Sequence, residues 1–244
     1  TILRMAYKGS SVHVACAFSL VEVFCSLYRD VVDCERIVQQ AADRDYVCLS
    51  KGHGVMAQYA CLHRIGLVDD HEIDSYFADG SRLTGLSEAH VPGVEVSGGS
   101  LGQGITVATG IALGKKRSGS TSRVYCIVGD GEINEGSAWE SMLICAHQQL
   151  SNFTLIVDAN EFQAMGRCED VLGLEPLAEK LRAFNFEVRE CDGHDVGSLT
   201  THLKELTGLA SPRPRALIAR TVKGRGVSFM ERDNTWHYTR LTAD

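Results

Sequence analysis

Two polar residues, Asp130 and Asn160, each stand just beyond an apolar run, in Gly129-Asp130-Gly131-Glu132-Ile133-Asn134-Glu135-Gly136 and Val157-Asp158-Ala159-Asn160-Glu161-Phe162. The runs, Arg123 to Gly129 and Phe153 to Val157, have the near-continuous hydrophobicity of strands buried on both faces of a parallel sheet. Parallel neighbours need a crossover, which predicts a helix between them near Ser137 to Gln149. Both polar residues would then leave the sheet at its carboxyl edge, where open α/β folds bind ligands. A carboxylate and an amide oxygen at that edge suit a hard cation such as Mg²⁺, which takes a few protein oxygens and completes its shell with phosphate oxygens. The ligand expected there is a diphosphate. An Asp-Gly pair alone reads more readily as a turn, since Gly tolerates positive φ and Asp stabilises turns. A turn does not account for the Asp-x-Asn at the end of the next strand.

A chain of 244 residues sustains one large α/β domain, so a single domain over 1–244 is expected. Hydrophobic residues make up 44% and charged residues 23%, and no apolar run nears the ~20 residues of a membrane span. The net charge of -7 comes without a basic cluster, which argues against nucleic-acid binding. Nine cysteines are spread without a Cys-x-x-Cys pair and lie mostly in apolar runs. They are expected to be buried free thiols of a cytoplasmic, reducing setting. The first residues show no features of a secretory leader.

Ala15 to Tyr28 and Val55 to Ile65 have helical apolar spacing, with Val47-Cys48-Leu49 a short strand between them. Residues 67–92 are polar and turn-rich, as in an excursion over a ligand site. The glycine-rich stretch Gly98 to Gly104 opens a helix to about Lys116, with small residues at Ala108, Gly110, Ala112 and Gly114 for close packing. Leu174 to Phe184 (helix), Glu187 to Glu190 (strand), Val196 to Thr207 (helix) and Ala216 to Thr221 (strand) continue the alternation. The fold class is α/β, a mainly parallel sheet with helices on both faces.

In order and spacing, five motifs resemble the N-terminal, pyrophosphate-binding half of transketolase. They are Leu49-Ser50-Lys51-Gly52-His53-Gly54, Gly93 to Gly104, Gly129 to Gly136, Val157 to Asn160, and Ala219 to Gly224. The resemblance implies a thiamine diphosphate-binding fold with Mg²⁺, for which Ca²⁺ or Mn²⁺ can substitute. In full-length members a second domain supplies the glutamate that activates the aminopyrimidine and the aromatic residues that hold it. The sequence ends at Asp244, so the resemblance is to the N-terminal subunit of a two-chain enzyme. It implies a C-terminal partner subunit, with two copies of each chain in a heterotetramer.

Carried onto this chain, the resemblance makes Asp130, Asn160 and the Phe162 carbonyl the metal ligands. Gly129 and Gly131 let the backbone approach the diphosphate, and Glu132 is expected to point away from it. Gly99 and Leu101 would meet the aminopyrimidine; a core leucine at a helix entry is the simpler reading. Glu135 and Glu140 match carboxylates at the contact between paired cofactor sites, although acids also favour any helix start. His13 and His53 match substrate-site histidines that handle protons and hydrogen bonds, while Lys223 and His237 stand near phosphate-contacting positions. A lone histidine is otherwise a structural residue.

The family's His-Pro before Gly-Val-Glu-Val is Gly85-Leu86 here, with His90 a candidate replacement. Its loss would weaken selection for a ketose, since specificity rests on satisfied polar contacts. The reaction implied is transfer of a two-carbon ketol unit from a ketose or its phosphate to an aldose acceptor, and the lone chain should be inactive. Transfer from pyruvate and a non-catalytic cofactor-binding scaffold are the alternatives.

Overall fold

The apolar runs become strands. In chain order they are β1 (Tyr46–Leu49), β2 (Val124–Gly129), β3 (Phe153–Ala159), β4 (Phe162–Gln163), β5 (Gly166–Arg167), β6 (Glu187–Asp192) and β7 (Arg215–Arg220). The computed structural model, which describes residues 1–242, arranges five of them in one sheet in the order β1-β2-β3-β7-β6. All its pairings are parallel, and β4 and β5 form a separate antiparallel hairpin. From β3 the chain jumps to the edge strand β6 and returns as β7 beside β3.

Alternation along each strand divides the core in two. Tyr125, Ile127, Ile156 and Leu217 pack on one face, toward helices Val21–Ser26, Val55–Arg64 and Val196–Gly208. Cys126, Val128, Leu155, Val157 and Ile218 pack on the other, toward Gln103–Arg117, Gly136–His147 and Leu177–Ala183. Strands covered on both sides have no polar face, and every residue of β2 and β3 is buried. The nine cysteines are all free thiols. Among the described residues no helix is long and apolar enough to cross a membrane.

The expected helix over Ala15 to Tyr28 is broken. It consists of helices Val14–Phe18 and Val21–Ser26 and a π turn over Leu27–Val31. The interruption falls at Ser19, whose hydroxyl donates to Asp158 at 2.6 Å, a long-range demand that helical periodicity does not register. β3 also runs two residues further than its apolar stretch, because Asp158 and Ala159 keep pairing with Ala219 and Arg220 of β7. The polar excursion 67–92 holds one short helix, Asp70–Asp74, closed by a capping box between Asp69 and Glu72.

Candidate functional site

Gly129 of β2 pairs with Asp158 of β3, so Asp130 and Asn160 leave the sheet side by side. Both are buried, at 6% and 4% exposure. Asp130 Oδ1 accepts from Gly131 N at 2.8 Å and Oδ2 from Glu161 N at 2.6 Å. Asn160 Oδ1 accepts from Phe162 N at 3.1 Å. Each of these oxygens keeps a lone pair beyond the bond it already makes. A carboxylate and an amide oxygen are hard donors of the kind that fits Mg²⁺, Ca²⁺ or Mn²⁺. Among the described residues no three His, Cys, Asp or Glu side chains converge as metal ligands, so a cation here depends on amide and carbonyl oxygens. Burial, then the neighbouring Asp158, push the Asp130 carboxyl up to about 6 against the opposing Lys51 charge; a bound cation would relieve that strain.

Gly131 is required by packing. A Cβ there would stand 2.6 Å from Gln163 Cβ on the β4–β5 hairpin, which folds back over the Asp130 turn. A Cβ on Gly129 would meet only the Lys51 side chain, at ordinary contact distance. Glu132 turns inward, accepting from Ser50 Oγ at 2.5 Å, Gly102 N at 2.9 Å and Gly129 N at 3.2 Å. It ties the helix entry at Gly102 to β1 and β2.

Sequence reasoning left Asp158 and Lys51 without a role. Asp158 is fully buried and forms an ion pair with Lys51, itself 2% exposed. It also accepts from Ser19, Thr221 and, at 3.0 Å, Asn160 Nδ2. Lys51 and these bonds hold the Asp158 carboxyl below its ordinary range despite burial, the largest influence. The available signal was a charged residue inside an otherwise apolar strand, a placement that needs a partner.

The same sheet edge carries a histidine cluster. His13, in left-handed backbone (φ 64°) at the start of Val14–Phe18, lies with its ring 5.4 Å from His53 and 5.3 Å from His237; His53 and His237 are 5.7 Å apart. Lys223, 1% exposed, places Nζ 2.7 Å from both His237 Nδ1 and Asn234 Oδ1, and 5.8 Å from the Phe162 ring centre. Burial is the main cause lowering all three imidazoles. Lys223 adds to it at His13 and His237, the latter down to about 3, and Lys51 adds to it at His53, which falls well below its ordinary range. They are neutral hydrogen-bonding groups at physiological pH.

Other expected residues lie on the rim. Gly99 is exposed and Leu101 half-buried, and Leu86 Cδ1 lies 3.0 Å from where a Gly99 Cβ would be. His90 is committed elsewhere, its Nε2 2.9 Å from Arg82 O. The space beside Gly85 is taken by Phe77, whose ring carbon lies 2.8 Å from where a Cβ would stand. Glu135 and Glu140 are exposed, at the start and in the middle of helix Gly136–His147, which also exposes Leu143 and Ile144.

Residues 4–244 match the family described as transketolase, thiamine diphosphate binding domain. The chain belongs to this transketolase family. It is 38% identical over 227 residues to an apulose-4-phosphate transketolase subunit of Actinobacillus succinogenes, covering 93% of this chain and 82% of that one. A 6-deoxy-6-sulfo-D-fructose transketolase subunit from a Clostridium species is 31% identical, with 95% and 84% covered. The transketolase of Leishmania mexicana superposes with a TM-score of 0.90 at 28% identity, covering 98% of this chain and 37% of that longer one. The sequence resemblance, the parallel α/β fold and the relation to transketolase subunits thus agree.

Proposed function

We propose that this chain is the diphosphate-gripping subunit of a two-chain, thiamine diphosphate-dependent transketolase. The observation that carries the reading is the meeting of Asp130 and Asn160 with His13, His53 and His237 at one sheet edge, in a chain related over most of its length to proteins named as transketolase subunits. Asp130, Asn160 and the Phe162 carbonyl would hold a Mg²⁺ ion, with Lys223 a cationic neighbour for the diphosphate. Gly99 and Leu101 would line the aminopyrimidine side. The bound cofactor supplies the carbanion-stabilising chemistry of two-carbon transfer.

The protein's own part is position and polarity. His13 and His53 would hydrogen-bond the oxygens of a sugar or sugar phosphate and hand protons between them, with His237 a neutral hydrogen-bonding neighbour of both rings. The exposed rim at Gly99 is the side a C-terminal partner subunit would cover, and Glu135 and Glu140 would meet a second copy in a heterotetramer. Co-expression with the C-terminal half tests this: cofactor-dependent ketol transfer should need both chains. Turnover by this chain alone would refute it, and a scaffold role would leave turnover intact in Asp130→Ala.

One observation favours a second donor class. With Phe77 against Gly85 and His90 bonded to Arg82, the position of the family His-Pro has no imidazole, which suits a donor such as pyruvate that lacks a hydroxymethyl group. Comparing hydroxypyruvate with pyruvate in the assembled enzyme separates the two. A preference for hydroxypyruvate removes this reading.

A further inference from the structure

Lys223 in its charged form can make its contact with His237 in one direction only. Lys223 Nζ stands 2.7 Å from Asn234 Oδ1 and 2.7 Å from His237 Nδ1. The Asn234 amide has a defined orientation, because its Nδ2 donates to Ala164 O at 3.3 Å, leaving Oδ1 to accept from the lysine. An ammonium has three N–H groups and no lone pair, so the contact to His237 must also run from lysine to ring. Nδ1 is therefore the acceptor. The other neighbour at Nδ1 is the Cys16 thiol, with Sγ at 3.8 Å, which is also able to donate.

We infer that Lys223 is a positioning residue that holds His237 in the tautomer carrying its proton on Nε2, making this ring a fixed, neutral hydrogen-bond donor beside His13 and His53. Nε2–H is then the ring's one N–H, on the side that Lys223 leaves open. Burial and the lysine charge both disfavour the imidazolium, in keeping with a neutral ring. A group of this kind stabilises an oxygen that gains negative charge and cannot act as a general base through Nε2. The use of that donor by a substrate rests on the function proposed above; the tautomer does not.

The test is long-range proton–nitrogen correlation NMR on the full chain labelled with ¹⁵N-histidine, with the His237 signal assigned by its loss in His237→Gln. The wild type should show a bare Nδ1 and a protonated Nε2 at neutral pH. Lys223→Met should release the ring to a mixture of tautomers, and Lys223→Arg, also donor-only, should restore the single one. A wild-type proton on Nδ1, as a neutral lysine accepting from the ring would produce, overturns the inference. So does an unchanged tautomer in Lys223→Met. If that variant does not fold, the wild-type and Lys223→Arg spectra decide. The expected tautomer in an assembled enzyme without ketol transfer would sink the proposed function and leave this inference standing.

Discussion

Asn160 Nδ2 donates to Asp158 Oδ2 at 3.0 Å, so the amide that would face a cation is oriented from behind by a carboxylate that never meets solvent. Its Oδ1 is held by Phe162 N, and Asp158 in turn is paired with Lys51, two residues before His53. The Asp130–Asn160 edge and the histidine side thus share one buried polar hub.

Asp158→Asn should weaken Mg²⁺-dependent cofactor binding by roughly 10–100-fold, the usual cost of removing a residue that orients a ligand. It should also destabilise the fold by about 3–5 kcal/mol, because Lys51 is left as an uncompensated buried charge. Adding Lys51→Met removes that charge and should recover stability without recovering affinity. Calorimetric titration and urea unfolding on both variants separate these effects; affinity returning in the double variant would confine Asp158 to a structural role.

Asp130→Ala should cost the assembled enzyme its Mg²⁺-dependent cofactor binding while preserving its circular dichroism, since the lost contacts are two turn N–H groups. Chelation of the wild type should have the same effect, reversed by Mg²⁺ and also by Ca²⁺ or Mn²⁺. Cofactor retention in excess chelator would dismiss the cation from the site.

The strands that position the site were legible in the sequence because doubly covered strands are apolar throughout, and their first polar residues mark where they end. Asp130 and Asn160 stood out for that reason. The same logic cut β3 short at Val157 and passed over Asp158, whose partners Ser19, Lys51 and Thr221 lie 139, 107 and 63 residues away. Local pattern carries no trace of bonds at that range, and the helix break at Ser19 was hidden by the same cause. For Glu132 the sequence offered a direction, away from the diphosphate, but not its partners Ser50 and Gly102, which come from distant parts of the chain.

Helix Gln103–Arg117 approaches the end of β1 so closely that a Cβ on Gly104 would stand 2.5 Å from Ser50 Cα. Backbone has little room to yield, so Gly104→Ala should destabilise by about 1–3 kcal/mol despite the better helix propensity of alanine. It should also disturb His53, three residues along. Gly110→Ala, in the same helix with open space around it, should be neutral or stabilising in parallel urea titrations. Equal stability of the two would contradict the close approach.

The histidine cluster gives stability a pH dependence of definite sign. A base lowered in the folded state leaves the unfolded chain holding more protons as pH falls, so its contribution is complete above the ordinary value of 6.5 and is lost below it. For His237 the loss runs from 6.5 toward about 3, with His13 and His53 acting in the same direction. The raised Asp130 carboxyl works oppositely in the metal-free chain, so the comparison that isolates the effect is between variants. His237→Gln should flatten the decline of the urea midpoint below about pH 6.5; parallel curves would show that the ring titrates normally.

Leu143 and Ile144 are 56% and 47% exposed on helix Gly136–His147, and Val107 is 47% exposed on the adjoining Gln103–Arg117. Three large apolar side chains on neighbouring helices, flanked by Glu135 and Glu140, have the make-up of an interface with a polar rim. A charge at its centre would be buried unpaired on association, whereas these exposed side chains add little to the chain's own core. Leu143→Glu should therefore leave the stability of this chain within about 0.5 kcal/mol of wild type and still prevent the proposed pairing of two copies in the assembled enzyme. Light scattering after size exclusion reads the mass directly, and a full-size assembly in the variant would move the contact between copies to another face.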